Sequence, residues 1–413
     1  MAPIRVLICD DSAFMRHALG RLLREVSSIE VVGVATNGED GLRMARELKP
    51  DVITLDVEMP VLDGLGMLKR LMLETPTRVV MLSSLTTENA QITFDALEFG
   101  AIDFVPKPSG SLSIDIGRVG EELVGKIEAA ASMSEAAFLR HRQIAAMNLT
   151  VINNAAAKDA ALANPTAPIS SMPTGYVLRN RPPVVPAAPK RPPRTGPKIA
   201  ARKLVVVASS TGGPSALHTF VKGLPSELHA AIAIVQHMPP GFTASLAARL
   251  DSAGLLRCTE ATSEDVLVED EILVAPGDRH MICSTSGRIQ LVHLPPVNGV
   301  RPAADVTLQA VAPIWKDRLL CVILTGMGFD GREGARAVKQ HGGTVFSQDA
   351  ATSTIYGMPA AVAEAGLTDL VLPLHYLPAA VAKWCNGEKA EAAELSSQSD
   401  QRAQFPDRSE IAS

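Results

Sequence analysis

A serine-containing turn follows a strongly apolar run in the middle of the chain. Residues 204–208 read Leu-Val-Val-Val-Ala, which is typical of a buried parallel strand, and the sequence Ser-Thr-Gly-Gly-Pro begins at Ser210. Because proline is favoured in the first turn of a helix, a strand is predicted to end and a helix to begin here. The turn would present the Ser210 hydroxyl beside the backbone N–H groups of Gly212 and Gly213, where negative charge is stabilised. This arrangement suits a nucleophile next to an oxyanion-binding site, but a simple helix cap has the same composition.

Two other apolar runs are followed by residues that could activate such a serine. Ala230–Val235 leads to His237 in a proline-containing loop, and Leu319–Leu324 leads to Asp330, just before a predicted helix. In a parallel sheet the carboxyl ends of the strands meet at one edge, so the three side chains are expected to converge. His237 would then be the general base, and Asp330 would orient its ring and stabilise its charged form. The chain order Ser, His, Asp differs from the orders of the α/β-hydrolases, chymotrypsin and subtilisin.

The region before Asp330 also contains a pattern associated with nucleotide binding. Gly326, Gly328 and Gly331 form a G-x-G-x-x-G sequence between a predicted strand and a helix, and Asp349 follows the next strand, where a ribose-binding acid is expected. Against this alternative, Asp330 would place a negative charge in the turn that should hold pyrophosphate. The glycines also come late in the region instead of after its first strand.

A group of acidic residues is predicted in the first third of the chain. Asp10 and Asp11 follow one apolar run and Asp56 follows another, so their carboxylates should converge and bind a hard cation such as Mg²⁺. Ser83 and Lys107 follow two further runs. With a metal, a hydroxyl and an ammonium facing one pocket, a phosphoryl group on Asp56 could be held through its oxygens. Each residue alone could be a helix cap or a surface charge, but five at matching positions favour a site.

The elements that position the acidic group alternate between strands and amphipathic helices. This alternation indicates a doubly wound five-stranded parallel α/β sheet. The predicted strands are Ile4–Cys9, Ile29–Thr36, Val52–Leu55, Arg78–Leu82 and Ile102–Val105. A second doubly wound α/β domain is predicted around Ser210.

A small antiparallel insert is predicted within the second domain, and a helix over residues 303–315 follows it. Three short strands separated by turn residues indicate the insert. They are Glu271–Ala275, His280–Ser284 and Ile289–His293. Asp278 and His280 lie beside one of the turns, which favours a structural role for both.

Composition divides the chain into four segments. Folded domains are predicted at 1–125 and 201–387, an alanine- and proline-rich basic linker at 126–200, and a disordered polar tail at 388–413. Ten prolines fall between residues 165 and 197. Sequence of this kind lacks the apolar period needed to pack a core and favours an extended, semi-rigid chain.

The overall composition is that of a soluble multidomain protein. The chain has 413 residues, 46% of them hydrophobic, and a formal net charge of −5, which gives no reason to expect binding to nucleic acid or to a membrane. No leader pattern or membrane-length apolar run is present. The five cysteines form no C-x-x-C pair and sit mostly in apolar runs. We therefore expect a cytoplasmic protein with reduced, buried thiols and no direct membrane insertion.

Four motifs stand out in the first domain: CDDS at 9–12, LDVEMP at 55–60, LDG at 62–64 and FVPKP at 104–108. Together they resemble the response-regulator receiver family over nearly all of this domain. The resemblance implies that Asp56 accepts a phosphoryl group from a histidine kinase and that Asp10 and Asp11 help to bind Mg²⁺. It also implies that Phe104 is the aromatic switch residue, acting with Ser83 and Lys107 on a two-state surface.

Three motifs of the second domain, ASSTGGP at 208–214, QHMPPGF at 236–242 and TGMGFDG at 325–331, resemble the catalytic motifs of the chemotaxis methylesterase CheB family. The resemblance implies the roles assigned above to the serine, histidine and aspartate. It further implies that Thr211 and Met327 line the site, where backbone groups help to bind the oxyanion, and that the esterase needs no cofactor. Three features depart from the pattern: Phe329 stands where many relatives have asparagine, Ala208 replaces a frequent glycine, and the linker is unusually long.

The resemblance also implies a substrate, namely γ-methyl esters of glutamate on chemoreceptors, with glutamine deamidation as a second reaction in some members. The expected partners are methylated chemoreceptors and a chemotaxis histidine kinase, and the protein is expected to be a monomer. The unphosphorylated receiver is expected to lie across the esterase cleft and to loosen on phosphorylation. The alternative is a receiver-controlled receptor-binding protein with little esterase activity; a DNA-binding output is disfavoured because no helix-turn-helix follows the linker.

Overall fold

The computed structural model describes residues 2–84, 86–107, 114–143, 145–148, 150 and 199–388, with only the backbone of 87, 88 and 114–118. These residues form two compact units, one N-terminal and one C-terminal. The central part of the predicted linker, 151–198, and the tail from 389 lie outside the described residues, so the four predicted boundaries remain predictions.

The first unit is built on five parallel strands in the order β2–β1–β3–β4–β5. The strands are β1 Ile4–Cys9, β2 Ile29–Ala35, β3 Val52–Asp56, β4 Arg78–Ser83 and β5 Asp103–Pro106. The helices are α1 Ala13–Arg24, α2 Gly38–Leu48, α3 Gly64–Glu74, α4 Thr87–Glu98 and α5 Ile114–Ser132. Helix α1 packs against α5, and α2 against α3, as the predicted doubly wound sheet requires. Helix α5 continues past residue 125, and residues 135–143 are also helical.

The second unit is built on seven parallel strands in the order β14–β13–β12–β6–β7–β9–β8. These strands are β6 Leu204–Ser209, β7 Ala231–Gln236, β8 Arg257–Glu260, β9 Glu271–Val274, β12 Leu319–Ile323, β13 Thr344–Gln348 and β14 Leu370–Leu372; β10 His280–Cys283 and β11 Ile289–Val292 form a separate antiparallel pair. The helices are α6 Gly213–Lys222, α7 Phe242–Ala253, α8 Ala304–Trp315, α9 Arg332–Gln340, α10 Met358–Glu364 and α11 Leu377–Cys385, with 3₁₀ turns at Lys316–Arg318 and Leu374–Tyr376. The α/β class and the small antiparallel insert are confirmed.

The composition of the insert differs from the prediction in one strand. Residues Glu271–Val274 form β9, which pairs in parallel with both β7 and β8 and therefore belongs to the main sheet. The insert consists of β10 and β11 alone. A four-residue strand next to a hairpin gives no sequence signal for the sheet it joins, because the apolar period is the same in both cases.

Burial places the hydrophobic core around the central strands of each sheet. In the second unit every residue of β6, β7 and β12 is buried, as expected for parallel strands covered on both faces. All five cysteines are buried, with free thiols, as predicted. Within the described residues, none of the helices combines the length and apolarity needed to cross a bilayer.

Candidate active site

The carboxyl ends of β6 and β7 bring Ser210 and His237 to the same edge of the sheet. Ser209 and Gln236 are register partners in the two parallel strands, so the next residue of each strand leaves the sheet at the same level. The backbone N–H of His237 donates to Ser209 O over 3.1 Å, and that of Ser210 donates to Thr325 O over 3.0 Å. The second bond ties the serine turn to the loop that follows β12, which carries Asp330.

The buried side chain of Gln236 forms hydrogen bonds with residues at the ends of both β6 and β7. Its amide nitrogen donates to Ser210 O at 2.9 Å and to His237 O at 3.2 Å, while its amide oxygen accepts from the Ser209 hydroxyl at 2.7 Å. Gln236 is almost completely buried, so its hydrogen bonds are not exchanged for bonds to water. One side chain therefore fixes the backbone of both the candidate nucleophile and the candidate base.

His237 and Asp330 form a direct hydrogen bond. Nε2 of His237 lies 2.7 Å from Oδ2 of Asp330, and both side chains are nearly buried. Because a carboxylate accepts hydrogen bonds, the ring proton belongs on Nε2, which leaves the lone pair of Nδ1 available as a base. The ring is thus reversed relative to the chymotrypsin arrangement, in which the aspartate bonds Nδ1.

The Asp330 carboxylate receives further donors from the start of α8. The N–H of Ala304 donates to Oδ2 at 2.6 Å and the N–H of Asp305 to Oδ1 at 3.1 Å. Burial alone would raise the pKa of Asp330, but the hydrogen bond and charge of His237 and the two backbone donors outweigh it and lower that pKa below the ordinary value. The group is therefore a charged carboxylate at neutral pH, as an orienting acid must be.

The glycine turn after Ser210 has the predicted geometry in one respect and departs from it in another. Gly212 has φ +76°, in the left-handed region, and Gly213 begins α6. The N–H of Gly213, predicted to be open for an oxyanion, instead donates to Ser210 O at 2.8 Å. Its Cα faces the Gln236 amide so closely that a Cβ would overlap it. Gly213 therefore shapes the turn, and its N–H is not a donor to substrate in this conformation.

The two residues predicted to line the site differ in exposure. Thr211 is buried, and its carbonyl accepts from the Thr325 hydroxyl at 3.0 Å. Met327 is 43% exposed and Phe329, two residues later, is 47% exposed, so the loop after β12 has an apolar outer surface. The Arg332 guanidinium lies 5.1 Å from the centre of the Phe329 ring.

In the first unit the predicted acidic residues converge. Carboxylate oxygens of Asp10, Asp11 and Asp56 lie within 4.8 Å of one another, which suits a hard cation with oxygen ligands. Lys107 Nζ lies 3.1 Å from Asp10 Oδ2 and 2.6 Å from Asp56 Oδ2. Burial raises the pKa of Asp56 to about 6, against the opposing effect of Lys107. The donor set therefore fits Mg²⁺.

Ser83 and Phe104 lie on strands beside this acidic group. The Ser83 hydroxyl at the end of β4 accepts from the Thr93 hydroxyl at 2.8 Å, which links β4 to α4. The Phe104 ring is buried, with Lys126 Nζ 5.2 Å from its centre, and the Lys126 ammonium also donates to Phe104 O at 2.6 Å. In this conformation the aromatic side chain points into the protein.

Each of the two sites lies in a region of the chain that matches a known protein family. The CheB methylesterase model matches residues 205–381, and the response regulator receiver domain model matches residues 6–114. The protein-glutamate methylesterase/protein-glutamine glutaminase of Symbiobacterium thermophilum is 44% identical over 381 residues, which covers 92% of this chain and 97% of that protein. The chain belongs to the CheB methylesterase family.

Two further matches of this CheB methylesterase family member come from Thermotoga maritima. The protein of the same description from Thermotoga maritima is 40% identical over 91% of this chain and 96% of its own length. The crystal structure of the Thermotoga maritima CheB methylesterase catalytic domain is 43% identical, covers 45% of this chain and all of that chain, and has a TM-score of 0.44.

The CheB-type site contains two residues that sequence reasoning missed. Asp305 Oδ1 accepts the N–H groups of Gly331 (2.9 Å) and Gly334 (2.7 Å) at the start of α9, and the Asn298 amide bridges Asp305 and Asp330. An acid in the first turn of the otherwise uncharged α8 was the available signal for Asp305. Its carboxylate occupies the helix N-terminus at which a dinucleotide fingerprint would bind pyrophosphate, so this geometry disfavours the nucleotide interpretation.

Asp278, His280 and Asp349 have the kinds of contact expected of structural residues. His280 is buried, with Nδ1 accepting from Ala303 N–H at 3.1 Å and Nε2 facing Pro295 O at 3.1 Å. Asp278 pairs with Arg301. Asp349, the candidate ribose-binding acid, instead accepts from the N–H and hydroxyl of Thr352.

Proposed function

We propose that this chain is a receiver-controlled serine esterase that hydrolyses glutamate γ-methyl esters of chemoreceptors to glutamate and methanol. The observation that carries the proposal is the His237–Asp330 hydrogen bond at the strand edge where Ser210 leaves β6. The 44% identical relative is named as a protein-glutamate methylesterase and protein-glutamine glutaminase, which supports the substrate class. We extend the proposal to receptor glutamine, with ammonia as the leaving group.

In the proposed mechanism His237 activates Ser210. Asp330 holds the Nε2–H tautomer, so Nδ1 takes the proton of the Ser210 hydroxyl as Oγ attacks the γ-carbonyl carbon. The negative charge that develops on the carbonyl oxygen would be stabilised by the backbone N–H groups of Thr211 and Met327. Asp330 stabilises the imidazolium while it exists.

Collapse of the tetrahedral intermediate breaks the bond to the leaving group. His237 returns its proton from Nδ1 to the methoxide oxygen, and methanol departs from an acyl-enzyme on Ser210. Water then attacks the acyl carbon with His237 again as the base. Breakdown of that second intermediate releases the glutamate side chain and restores the hydroxyl. The same residues would transfer a proton to the amide nitrogen of glutamine.

Control is assigned to the first unit. Asp56 would accept a phosphoryl group from a chemotaxis histidine kinase, and Lys107 would pair with one of the phosphoryl oxygens. A magnesium ion held by Asp10, Asp11 and Asp56 would offset the charge of the incoming group. Ser83 and Phe104 would carry the change to the surface of the unit. We propose that the unphosphorylated receiver inhibits the esterase, and that the protein acts as a cytoplasmic monomer on receptors.

The proposal is tested by mass spectrometry of receptor peptides after incubation with the full chain. Each methylated glutamate should lose one CH₂ in mass, and Ser210→Ala should leave the peptides unchanged. Ser215→Ala, at a partly buried position of α6, is not part of the proposed mechanism and serves as the matched serine control. Receptor binding without any loss of methyl ester would instead support the alternative of a receptor-binding protein.

A further inference from the structure

The Asp330 carboxylate lies next to a second buried acid. Asp330 and Asp305 are 2% and 4% exposed, respectively. Each accepts hydrogen bonds from the start of the helix beside the other: Asp330 accepts N–H groups at the start of α8, which carries Asp305, and Asp305 accepts N–H groups at the start of α9, which follows Asp330. The helix N-termini stabilise both carboxylates, but two like charges in one buried site repel each other.

One side chain reaches both carboxylates. Nδ2 of Asn298 lies 2.9 Å from Asp305 Oδ2 and 3.2 Å from Asp330 Oδ1. A primary amide nitrogen carries two N–H groups, so it can donate one to each acid. Hydrogen bonds to charged acceptors are the stronger ones, and neither carboxylate oxygen can exchange this donor readily for water at such burial.

The local backbone selects the residue type at this position. Asn298 has φ +54°, in the left-handed region, within a turn closed by reciprocal N–H···O bonds between Val297 and Val300 of 3.1 and 3.0 Å. Asparagine, aspartate and glycine tolerate this conformation, but of the three only asparagine supplies a side-chain donor at neutral pH. Aspartate would add a third carboxylate to the pair.

We propose that Asn298 is a positioning residue for the esterase: its amide holds Oδ1 of Asp330 and separates the two acids, so that Oδ2 stays aligned with Nε2 of His237. The inference rests on the proposed function, but its first consequence is structural. Without the amide, only backbone donors and His237 fix the carboxylate, and the repulsion from Asp305 is no longer offset. Among the described residues, two charged groups interact electrostatically with Asp330. They are His237, which follows β7, and Asp305 on α8.

Kinetics of the full-length protein test the proposal with three variants. Asn298→Gly keeps the backbone conformation and removes the amide, and we expect kcat to fall about tenfold with KM unchanged, as for a lost transition-state contact. Asn298→Asp should be more impaired, and the acidic limb of its pH–rate profile should move to higher pH. Adding Asp305→Asn to Asn298→Asp restores one amide and two acids, and should return both kcat and the profile towards the wild type.

Asn386→Ala is the matched control, because this asparagine is exposed at the end of α11. It should leave kcat and the pH profile at the wild-type values. If Asn298→Gly also gives the wild-type kcat and profile, or if Asp305→Asn does not improve Asn298→Asp, the proposed role is wrong. A loss of helical signal in circular dichroism would identify any variant that fails to fold.

A second readout keeps this test separate from the test of the proposed function. In the ¹⁵N-histidine-labelled protein, the Nε2–H of His237 bonded to Asp330 should give a low-field proton resonance, assigned by its loss in His237→Gln. Asn298→Asp should shift this resonance and change its titration, and Asn386→Ala should not. An unchanged resonance in Asn298→Asp overturns the positioning role even if the wild type releases no methanol. A shifted resonance in an inactive wild-type background would support it while the esterase assignment fails.

Discussion

Asp330 carries a negative charge in a buried position because donors converge on it from three elements. His237 and the first turn of α8 together outweigh the effect of burial on its pKa, and the Asn298 amide is a further donor to the carboxylate. The proposed role of His237 as the base depends on that charge in two ways, since the charge fixes the Nε2–H tautomer and would stabilise the imidazolium. The contribution of this one residue can therefore be measured separately from that of the nucleophile.

The substitution Asp330→Asn should lower kcat by about 10⁴-fold, the size of the loss seen when a triad aspartate becomes an amide and the wrong tautomer is held. The measurement is methanol release from methylated receptors at saturating substrate. The control is Asp278→Asn, because Asp278 also faces a histidine, His293, at 3.4 Å, but both side chains are about half exposed. Similar losses in the two variants would contradict the assigned role.

The lowered pKa of Asp330 also predicts a pH-dependent contribution to stability. A carboxyl whose folded-state pKa lies below its unfolded value binds fewer protons in the folded state, so it stabilises the fold above the unfolded pKa. This contribution should begin to fall at the ordinary aspartate value of 3.8 and be lost as the pH falls through the lower folded-state pKa.

Urea unfolding of the wild type and of Asp330→Asn at several pH values measures the contribution of Asp330 to the free energy of unfolding. Both tryptophans of the chain, Trp315 and Trp384, lie in the second unit, so their fluorescence reports on that unit. The stability difference between the two proteins should be larger at pH 7 than at pH 3. A difference that is independent of pH would show that the charge of Asp330 does not stabilise the fold.

The predicted Mg²⁺ site of the first unit can be tested by replacing one of its acidic residues. Asp11→Asn should weaken Mg²⁺ binding by roughly tenfold or more, since even indirect partners of metal sites have effects of that size. Isothermal titration calorimetry of the full chain measures the affinity. Asp40→Asn is the control, because Asp40 is paired with Arg43 on α2. Equal affinities in Asp11→Asn and the wild type would remove Asp11 from the metal site.

At the scale of elements, the link between β6 and β7 depends on Gln236. Gln236→Leu keeps a similar volume but leaves the Ser209 hydroxyl and the His237 carbonyl without the Gln236 amide, while the Ser210 carbonyl keeps only the N–H of Gly213. Leaving buried polar groups unsatisfied typically costs about 1–3 kcal/mol each, so the second unit should lose stability as well as activity. Urea unfolding and kcat measure both effects.

Gln340→Leu is the control for this substitution, because it makes the same exchange at the exposed end of α9. It should change the free energy of unfolding by less than about 0.5 kcal/mol, as is usual at the surface. A Gln236→Leu protein with wild-type stability and kcat would show that the hydrogen bonds of the Gln236 side chain between the two strands are dispensable.

The elements that sequence patterns predicted well are the long, buried ones. β6, β7 and β12 were predicted to within one or two residues because fully apolar runs bounded by polar or charged residues identify buried strands. β8 and β14 were missed, since Arg257–Glu260 is polar at both ends and Leu370–Leu372 has only three residues. Such short strands at or near sheet edges are determined by pairing, which the local sequence does not report.

For the candidate site, the predicted ends of the strands indicated where Ser210, His237 and Asp330 would lie. They did not indicate which groups would form hydrogen bonds with these residues. Asn298 and Asp305 lie 32 and 25 residues before Asp330, and only the fold brings them to its carboxylate. The use of the Gly213 N–H within its own turn is likewise a property of the backbone. The positions of the three candidate side chains were therefore predictable, while their hydrogen-bond partners were not.

At the scale of the whole molecule, one chain contains both a receiver domain and a CheB methylesterase domain. Deleting residues 1–200 should raise basal methanol release if the unphosphorylated receiver inhibits the esterase. Adding back residues 1–150 as a separate polypeptide is the control, and at high concentration it should lower the rate again, because only the tether has been lost. Basal activity that does not change on deletion would contradict inhibition while leaving the esterase assignment intact.

Methanol release from methylated receptor membranes by the full-length protein, with and without a small phosphodonor, is the decisive measurement for a receiver-controlled esterase. We expect release that rises with the phosphodonor, is absent in Ser210→Ala, and stays at the basal level in Asp56→Asn with or without the phosphodonor. Wild-type protein that releases no methanol even with Mg²⁺ and phosphodonor present would contradict the esterase assignment. Release that persists in Ser210→Ala would contradict the proposed nucleophile.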